Sequence, residues 1–189
     1  MIPPLVAAWE LHEFLTRAGM PYAITGDIAL QYWGEPRRPG KLVDVTVAAP
    51  LHDRKDFIRR IANRFPPTFD DAIPFAERSG MLLVRATKNC PVCFILGLPG
   101  YAHEVVRRAV RYELEPGKAV RVASAEDMVI YSALAGGRKE LRDLERVVYR
   151  QRDTLDVTYI RRWLRDSAVA LDAPDMMDRF EQPWKRIHS

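Results

Sequence analysis

The sequence predicts an α+β fold in which an α/β core over residues 1–123 is followed by a helical segment over residues 124–189 that packs on the core. Two patterns support this division. Short apolar strands alternate with amphipathic helices in the first part, whereas only helical periodicity continues from Ser124 onward. The chain of 189 residues is long enough to enclose a hydrophobic core.

The elements of the core can be assigned in order along the chain. Pro3 and Pro4 open a helix that keeps Leu11 and Leu15 on one face. Apolar runs then predict strands at 22–25, 42–47, 81–86, 92–96 and 119–123, with helices at 27–33, 53–65 and 101–112. The strands 81–86 and 92–96 are separated by a short polar stretch, which predicts a β-hairpin.

The helical segment is marked by end signals. Ser124 begins a variant of the capping box, Ser-Ala-Glu-Asp, before an apolar run. The pair Gly136-Gly137 ends that helix, a second helix is predicted over 138–152, and Asp156 caps a third.

Composition restricts the classes of partner. The net charge is +4 and most of the 29 basic residues are arginine, which suits either a polyanionic partner or solvated helix faces. The N-terminal stretch lacks the basic region of a signal peptide, and no apolar run reaches the length of a membrane span. We therefore expect a cytoplasmic protein that does not bind membranes. Cys90 and Cys93 form a single C-x-x-C, too few ligands for structural zinc, and are expected to be ordinary thiols.

The segment from Gly26 to Val47 carries the features that suggest chemistry. A strand runs into Gly26 and then into a helix, an arrangement that offers free backbone N–H groups to an anion. A basic turn follows, and Asp44 lies within the next strand, where a carboxylate could hold a divalent metal over that anion. These features predict a nucleotide site.

Several motifs follow one another in a characteristic order. They are Gly26-Asp27, Gly34-Glu35-Pro36-Arg37-Arg38, Asp44-Val45-Thr46-Val47, Gly97-Leu98-Pro99-Gly100-Tyr101, Ser124-Ala125-Glu126-Asp127, Ala133-Leu134-Ala135-Gly136 and Lys139-Glu140-Leu141-Arg142-Asp143. This ordered set resembles the nucleotidyltransferase superfamily, especially the AbiEii-type toxins of toxin–antitoxin systems. The resemblance implies a mixed β-sheet core flanked by helices, and Mg²⁺ as the metal if one is bound.

The resemblance also implies where catalytic groups should lie, and most of them are missing. In such enzymes two carboxylates on one strand hold metal ions and a third, on a neighbouring strand, activates the attacking hydroxyl. Here the first acid is replaced by Leu42 and the third by Cys93, while Ser132 stands in place of a phosphate-contacting lysine. Asp44 remains, and the resemblance adds Asp143 as a second candidate catalytic acid.

The nucleotide-binding positions implied by the resemblance are Gly26, Asp27, Arg37, Arg38 and Lys41. Asp27 occupies a position that is usually small in the family. Its carboxylate can cap the helix and would repel a triphosphate unless a cation intervened. An alternative pairs Asp27 with Asp44 as a rearranged metal site.

Three functions remain open at this point. The first is a catalytically degenerate relative that acts by binding a nucleotide, an RNA or a protein partner. The second is an active metal-dependent enzyme that transfers a nucleotide from a triphosphate to RNA or protein through Asp44, Asp27 and Asp143. The third is a toxin–antitoxin or interaction module that uses its helical C-terminal face.

Overall fold

A computed structural model describes residues 1–36, 39–48, 53–97 and 100–189. Contacts within the chain divide it into two compact units. Unit 1 comprises Met1–Ile28 and Pro39–Ala123, and unit 2 comprises Ala29–Arg38 and Ser124–Ser189. The two units are described separately below.

Unit 1 contains a six-stranded mixed sheet built from the described residues. Its strands are β1 (Tyr22–Thr25), β2 (Val43–Val47), β3 (Met81–Ala86), β4 (Cys90–Ile95), β5 (Val110–Glu115) and β6 (Lys118–Val122). They lie in the order β3-β4-β2-β1-β6-β5. The β1/β6 and β2/β4 pairs are parallel and the other three pairs are antiparallel.

Side-chain burial explains why the central strands read as apolar runs. All of β1 and four of the five residues of β2 are buried, as expected for strands covered on both faces. The helices of unit 1 are α1 (Pro3–Arg17), α3 (Arg54–Arg64), α4 (Ala72–Ser79) and α5 (Tyr101–Arg108), and α2 (Gly26–Trp33) begins in this unit. The predicted fold class, a mixed sheet flanked by helices, is confirmed, and so is the β3–β4 hairpin.

The predicted helix over 101–112 is wrong at its C-terminal end. Helix α5 ends at Arg108, and β5 begins at Val110 and pairs with β6. The residues of β5 alternate in exposure, as in a half-buried strand at the edge of a sheet. The predicted helix runs too far because Val110 and Tyr112 also fit a helical period. Their alternation with charged residues indicates a strand.

Unit 2 is helical apart from its short connections. Its helices are α6 (Ala125–Ala135), α7 (Arg138–Gln151), α8 (Val157–Ala170) and α9 (Met176–His188), together with the later residues of α2. The predicted caps are confirmed: Ser124 accepts a hydrogen bond from the Asp127 N–H, and Asp156 accepts one from the Tyr159 N–H. Among the described helices, none combines the length and the apolar composition needed to cross a lipid bilayer.

Glu10 connects α1 with two other segments of unit 1 through a hydrogen bond and an ion pair. Its carboxylate accepts a hydrogen bond from the Thr87 N–H at 2.9 Å and pairs with Arg64 at 2.6 Å. Burial alone would raise the pKa of Glu10, but the Thr87 hydrogen bonds and the Arg64 ion pair outweigh it and hold that pKa below its ordinary value. The carboxylate therefore links α1 to the β3–β4 turn and to the end of α3.

We expect Glu10→Gln to lower the free energy of unfolding by about 1–2 kcal/mol at pH 7. Because the folded-state pKa is depressed, this stabilisation is present above the unfolded pKa and is lost as the pH falls below about 4. Urea denaturation at pH 7 and pH 3 measures both values, with Glu13→Gln on the exposed side of α1 as the control. An equal loss of stability at both pH values would contradict this account.

Candidate functional site

The turn between β1 and α2 brings Gly26 against Asp44. Gly26 begins α2 with a φ of +60°, which glycine adopts readily. A Cβ at this position would overlap Oδ2 of Asp44, and no side chain could be added here without displacing that carboxylate. Glycine is therefore required both by the backbone conformation and by the close approach of Asp44.

Asp44 lies in a row of side chains that crosses three strands and consists of Thr25, Asp44 and Cys93, called the strand row below. It is opposite Thr25 on β1 and beside Cys93 on β4. Residues paired in this way point to the same face of a sheet. Asp44 is half-buried, whereas Thr25 and Cys93 are each 2% exposed. The Thr25 hydroxyl is buried and has no hydrogen-bond partner among the described residues, so its donor is unsatisfied.

The thiol of Cys93 is expected to be unreactive although it lies next to Asp44 in this row. Burial, and after it the negative charge of Asp44, raises the pKa of the Cys93 thiol to about 12. Cys90 is also buried, its thiol donates to the Lys41 carbonyl oxygen at 3.3 Å, and burial raises its pKa as well. The interpretation of both residues as ordinary free thiols agrees with this environment.

We expect neither cysteine to react with Ellman's reagent in the folded protein at pH 8. The Cys93 thiol, with a pKa of about 12, is ionised in only about one molecule in ten thousand at that pH, and the thiolate is the reacting form. The Cys90 thiol is buried, and burial raises its pKa as well. Both thiols should react after unfolding in guanidinium chloride, which serves as the internal control. Rapid release of one or two equivalents of chromophore from the native protein would contradict the prediction.

Asp27 is held by a residue that sequence reasoning did not identify. Its Oδ2 accepts a hydrogen bond from the Gly40 N–H at 3.0 Å. A Cβ on Gly40 would overlap the same oxygen. The carboxylate of Asp27 is thus directed at the segment that leads into β2, and its pairing with Asp44 as a metal site stays a prediction.

The remaining predicted nucleotide-binding positions differ in what the structure describes. Lys41 is exposed and lies just before β2. Leu42, which replaces the first acid of the resemblance, is 37% exposed. Arg37 and Arg38 lie outside the described residues, so their predicted phosphate contacts stay predictions.

Two predicted site residues belong to unit 2 and are buried there. Ser132 lies in α6 with 4% exposure. Asp143 lies in α7 with 3% exposure and pairs with Arg146 at 3.2 Å and with Lys139 at 3.8 Å. Lys139 and Asp143 form an i, i+4 ion pair in which the Lys139 side chain is exposed and the carboxylate of Asp143 is buried.

Arg146 extends this pair into a small network within unit 2. Its guanidinium also contacts Glu35 at 3.1 Å, and α7 binds the segment before Glu35 through two further hydrogen bonds. Arg150 donates to the Gly34 carbonyl oxygen, and Gln151 donates to that of Trp33 at 2.7 Å. Helix α7 therefore fixes the chain at the end of α2, immediately before the predicted basic turn.

Comparison with known proteins identifies the fold. No family model matches the sequence, and no curated protein matches it. An antigenic nucleotidyltransferase-like protein from Paracoccidioides brasiliensis superposes with a TM-score of 0.51 at 16% identity, over 94% of this chain and 92% of that chain. The antibiotic-resistance factor ANT(2'')-Ia superposes with a TM-score of 0.53 at 14% identity, over 90% of this chain and 92% of that chain. The chain has the nucleotidyltransferase fold.

The donor set at the strand row does not fit the metal pair expected of an active nucleotidyltransferase fold. Within residues 1–36, 39–48, 53–97 and 100–189, no group of three or more His, Cys, Asp or Glu side chains is placed to hold a metal ion. A single Mg²⁺ needs less, because it is usually bound by one or two carboxylates together with substrate phosphates. Asp44 and the unpartnered hydroxyl of Thr25 fit that smaller requirement.

The most informative residues that sequence reasoning missed are Thr25, Gly40 and Arg146. Thr25 could have been noticed as the last residue of β1 before the glycine turn, because such a residue lies at the end of the strand that leads into the phosphate-binding helix. Gly40 and Arg146 leave no such signal, because their roles depend on contacts with residues distant in sequence.

Proposed function

We propose that this chain is a catalytically degenerate nucleotidyltransferase-fold protein of the AbiEii-like group that binds a Mg²⁺–nucleotide without transferring its nucleotidyl group. The single observation that carries the proposal is the row across β1, β2 and β4, in which Asp44 is flanked by Thr25 and Cys93 and not by carboxylates. The order of motifs from Gly26 to Asp143 supports the AbiEii-like grouping. A toxin–antitoxin pair in the cytoplasm is then the expected setting.

Transfer chemistry requires more negative charge than this row supplies. Two metal ions must stabilise both the attacking and the leaving oxygen, and each ion needs carboxylate ligands. Cys93, with a pKa raised to about 12, is a neutral thiol at physiological pH. Leu42 offers no ligand at all. Asp44 would hold one ion, and no residue of the row is placed to activate a hydroxyl group.

Binding of a Mg²⁺–nucleotide requires only groups that are still present in the strand row. Asp44 is half-buried beside the turn where α2 begins, where helix N–H groups favour a phosphate. The buried hydroxyl of Thr25 can donate to a ligand oxygen. Mg²⁺ between Asp44 and the phosphates would screen the charges of Asp44 and Asp27, which otherwise repel the nucleotide.

Calorimetric titration with each nucleoside triphosphate, with and without Mg²⁺, tests this proposal. We expect Mg²⁺-dependent binding to at least one of them, with a Kd of about a millimolar or tighter. Asp44→Asn should weaken it at least about tenfold, whereas Asp56→Asn on the exposed face of α3 should leave it unchanged. If neither the wild type nor Asp44→Asn binds any nucleotide, the proposal is wrong and a protein partner becomes the better explanation.

A transfer assay separates this proposal from the active-enzyme alternative. The protein is incubated with radiolabelled nucleoside triphosphates, Mg²⁺ or Mn²⁺, and total RNA, and both RNA and protein are examined for label. We expect no transfer above the level of the Asp44→Asn variant. Label transfer that depends on Asp44 would show that the protein is an active nucleotidyltransferase and would contradict the proposal that it is catalytically degenerate.

A further inference from the structure

A groove between α7 and α9 of unit 2 lies outside the strand row. Its volume is about 430 Å³, a size suited to one nucleotide or a similar small group. The groove is lined by Arg142, Glu145, Arg146, Tyr149, Pro183, Arg186 and Ile187. It thus combines three guanidinium groups with an aromatic ring and an apolar floor.

The charges of this α7–α9 groove favour an anion. Arg142 is exposed and forms no ion pair with any described residue. Arg186 pairs with Glu145 at 2.6 Å, and its side chain remains 64% exposed. Two further acids lie near the groove: Asp143 is buried and paired with Arg146, and Glu35, which is 61% exposed, also pairs with Arg146, at 3.1 Å. The exposed charges are therefore three arginines against two glutamates, and Arg142 supplies the excess positive charge.

Tyr149 adds a recognition element that charge alone does not explain. It is 61% exposed, and the Arg152 guanidinium lies over one face of its ring, 4.8 Å from the centroid. An exposed ring beside arginines can stack on a nucleobase while the guanidinium groups bind phosphate. A polyglutamate peptide would use the arginines but has no ring to stack on Tyr149.

We propose that the α7–α9 groove binds single-stranded RNA, with phosphates on Arg142 and Arg186 and a base stacked on Tyr149. Arginine suits this role because its planar fork matches the geometry of phosphate oxygens. The groove shares no residue with the strand row and does not require Mg²⁺. The proposal therefore goes beyond nucleotide binding by the row and can fail or succeed independently of it.

Fluorescence anisotropy with a labelled single-stranded oligouridine, in EDTA and at several salt concentrations, tests the RNA groove. We expect the Arg142→Ala/Arg186→Ala double variant to bind about tenfold more weakly, with the slope of log K against log salt reduced by about 1.4 for two lost phosphate contacts. Tyr149→Leu should lose at least about fivefold, and Tyr149→Phe should retain affinity, because stacking needs only the ring.

Three controls keep the result interpretable. Arg165→Ala removes an exposed arginine of α8 and should bind as the wild type does. Asp44→Asn should also bind normally, which separates failure of this proposal from failure of the strand-row proposal. Thermal melts check that each variant is folded. The proposal is overturned if the wild type does not bind at low salt, if the groove variants bind like the wild type, or if polyglutamate competes as well as RNA does.

Discussion

Replacing Gly26 with alanine is expected to lower the free energy of unfolding by about 2–4 kcal/mol and to abolish Mg²⁺-dependent nucleotide binding. Part of this loss comes from the backbone, because the φ of +60° at Gly26 is unfavourable for a residue with a Cβ. The larger part comes from the overlap of the new methyl group with Oδ2 of Asp44. The carboxylate must move away from the turn at which the phosphates would bind.

Gly117→Ala is the matched control for this substitution. Gly117 has a φ of +79°, and a Cβ there would meet no atom within 4 Å. It should therefore show only the backbone cost, about 1 kcal/mol, with nucleotide binding intact. Guanidinium denaturation of both variants gives the comparison. If Gly26→Ala were no less stable than Gly117→Ala, the contact between Gly26 and Asp44 would have no energetic importance.

Asp127→Ala should produce the largest loss of stability in unit 2, about 3–4 kcal/mol. Asp127 is fully buried and accepts hydrogen bonds from the Ser124 hydroxyl at 2.7 Å and the Tyr159 hydroxyl at 2.8 Å. Its removal takes this acceptor from the buried Ser124 hydroxyl and from the half-buried Tyr159 hydroxyl, and it breaks the link between the beginning of α6 and α8.

Two companion variants resolve the contributions to this cluster. Tyr159→Phe removes one donor and keeps the carboxylate, and should cost about 1–2 kcal/mol. Asp166→Ala on the exposed side of α8 should cost almost nothing. Urea denaturation monitored by circular dichroism measures all three. A loss for Asp127→Ala no greater than that for Tyr159→Phe would mean that the buried carboxylate is not the centre of the cluster.

The fold could be predicted because its signals are local. The apolar runs of β1 and β2 and the caps at Ser124 and Asp156 each depend on a few neighbouring residues. The order of motifs then indicated the fold that the structural comparisons identify. The end of α5 was predicted wrongly because Val110 and Tyr112 in β5 also fit a helical period, so the local pattern allowed both a helix and an edge strand.

The site could be predicted only in part. Asp44 was placed on the correct strand from sequence, and the structure sets Cys93 directly beside it. The contact of Asp27 with Gly40 and the burial of Asp143 could not be foreseen, because each depends on how distant segments meet. An unpartnered hydroxyl such as that of Thr25 is visible only once its surroundings are packed.

The number of metal ions that bind with a nucleotide tests the central claim most directly. Electron paramagnetic resonance of Mn²⁺, titrated into the protein with a non-hydrolysable triphosphate analogue, distinguishes isolated ions from a coupled pair. We predict one isolated Mn²⁺ for each chain, lost in Asp44→Asn. A spin-coupled pair, with the separation of about 3.5–4 Å typical of two-metal sites, would contradict the account.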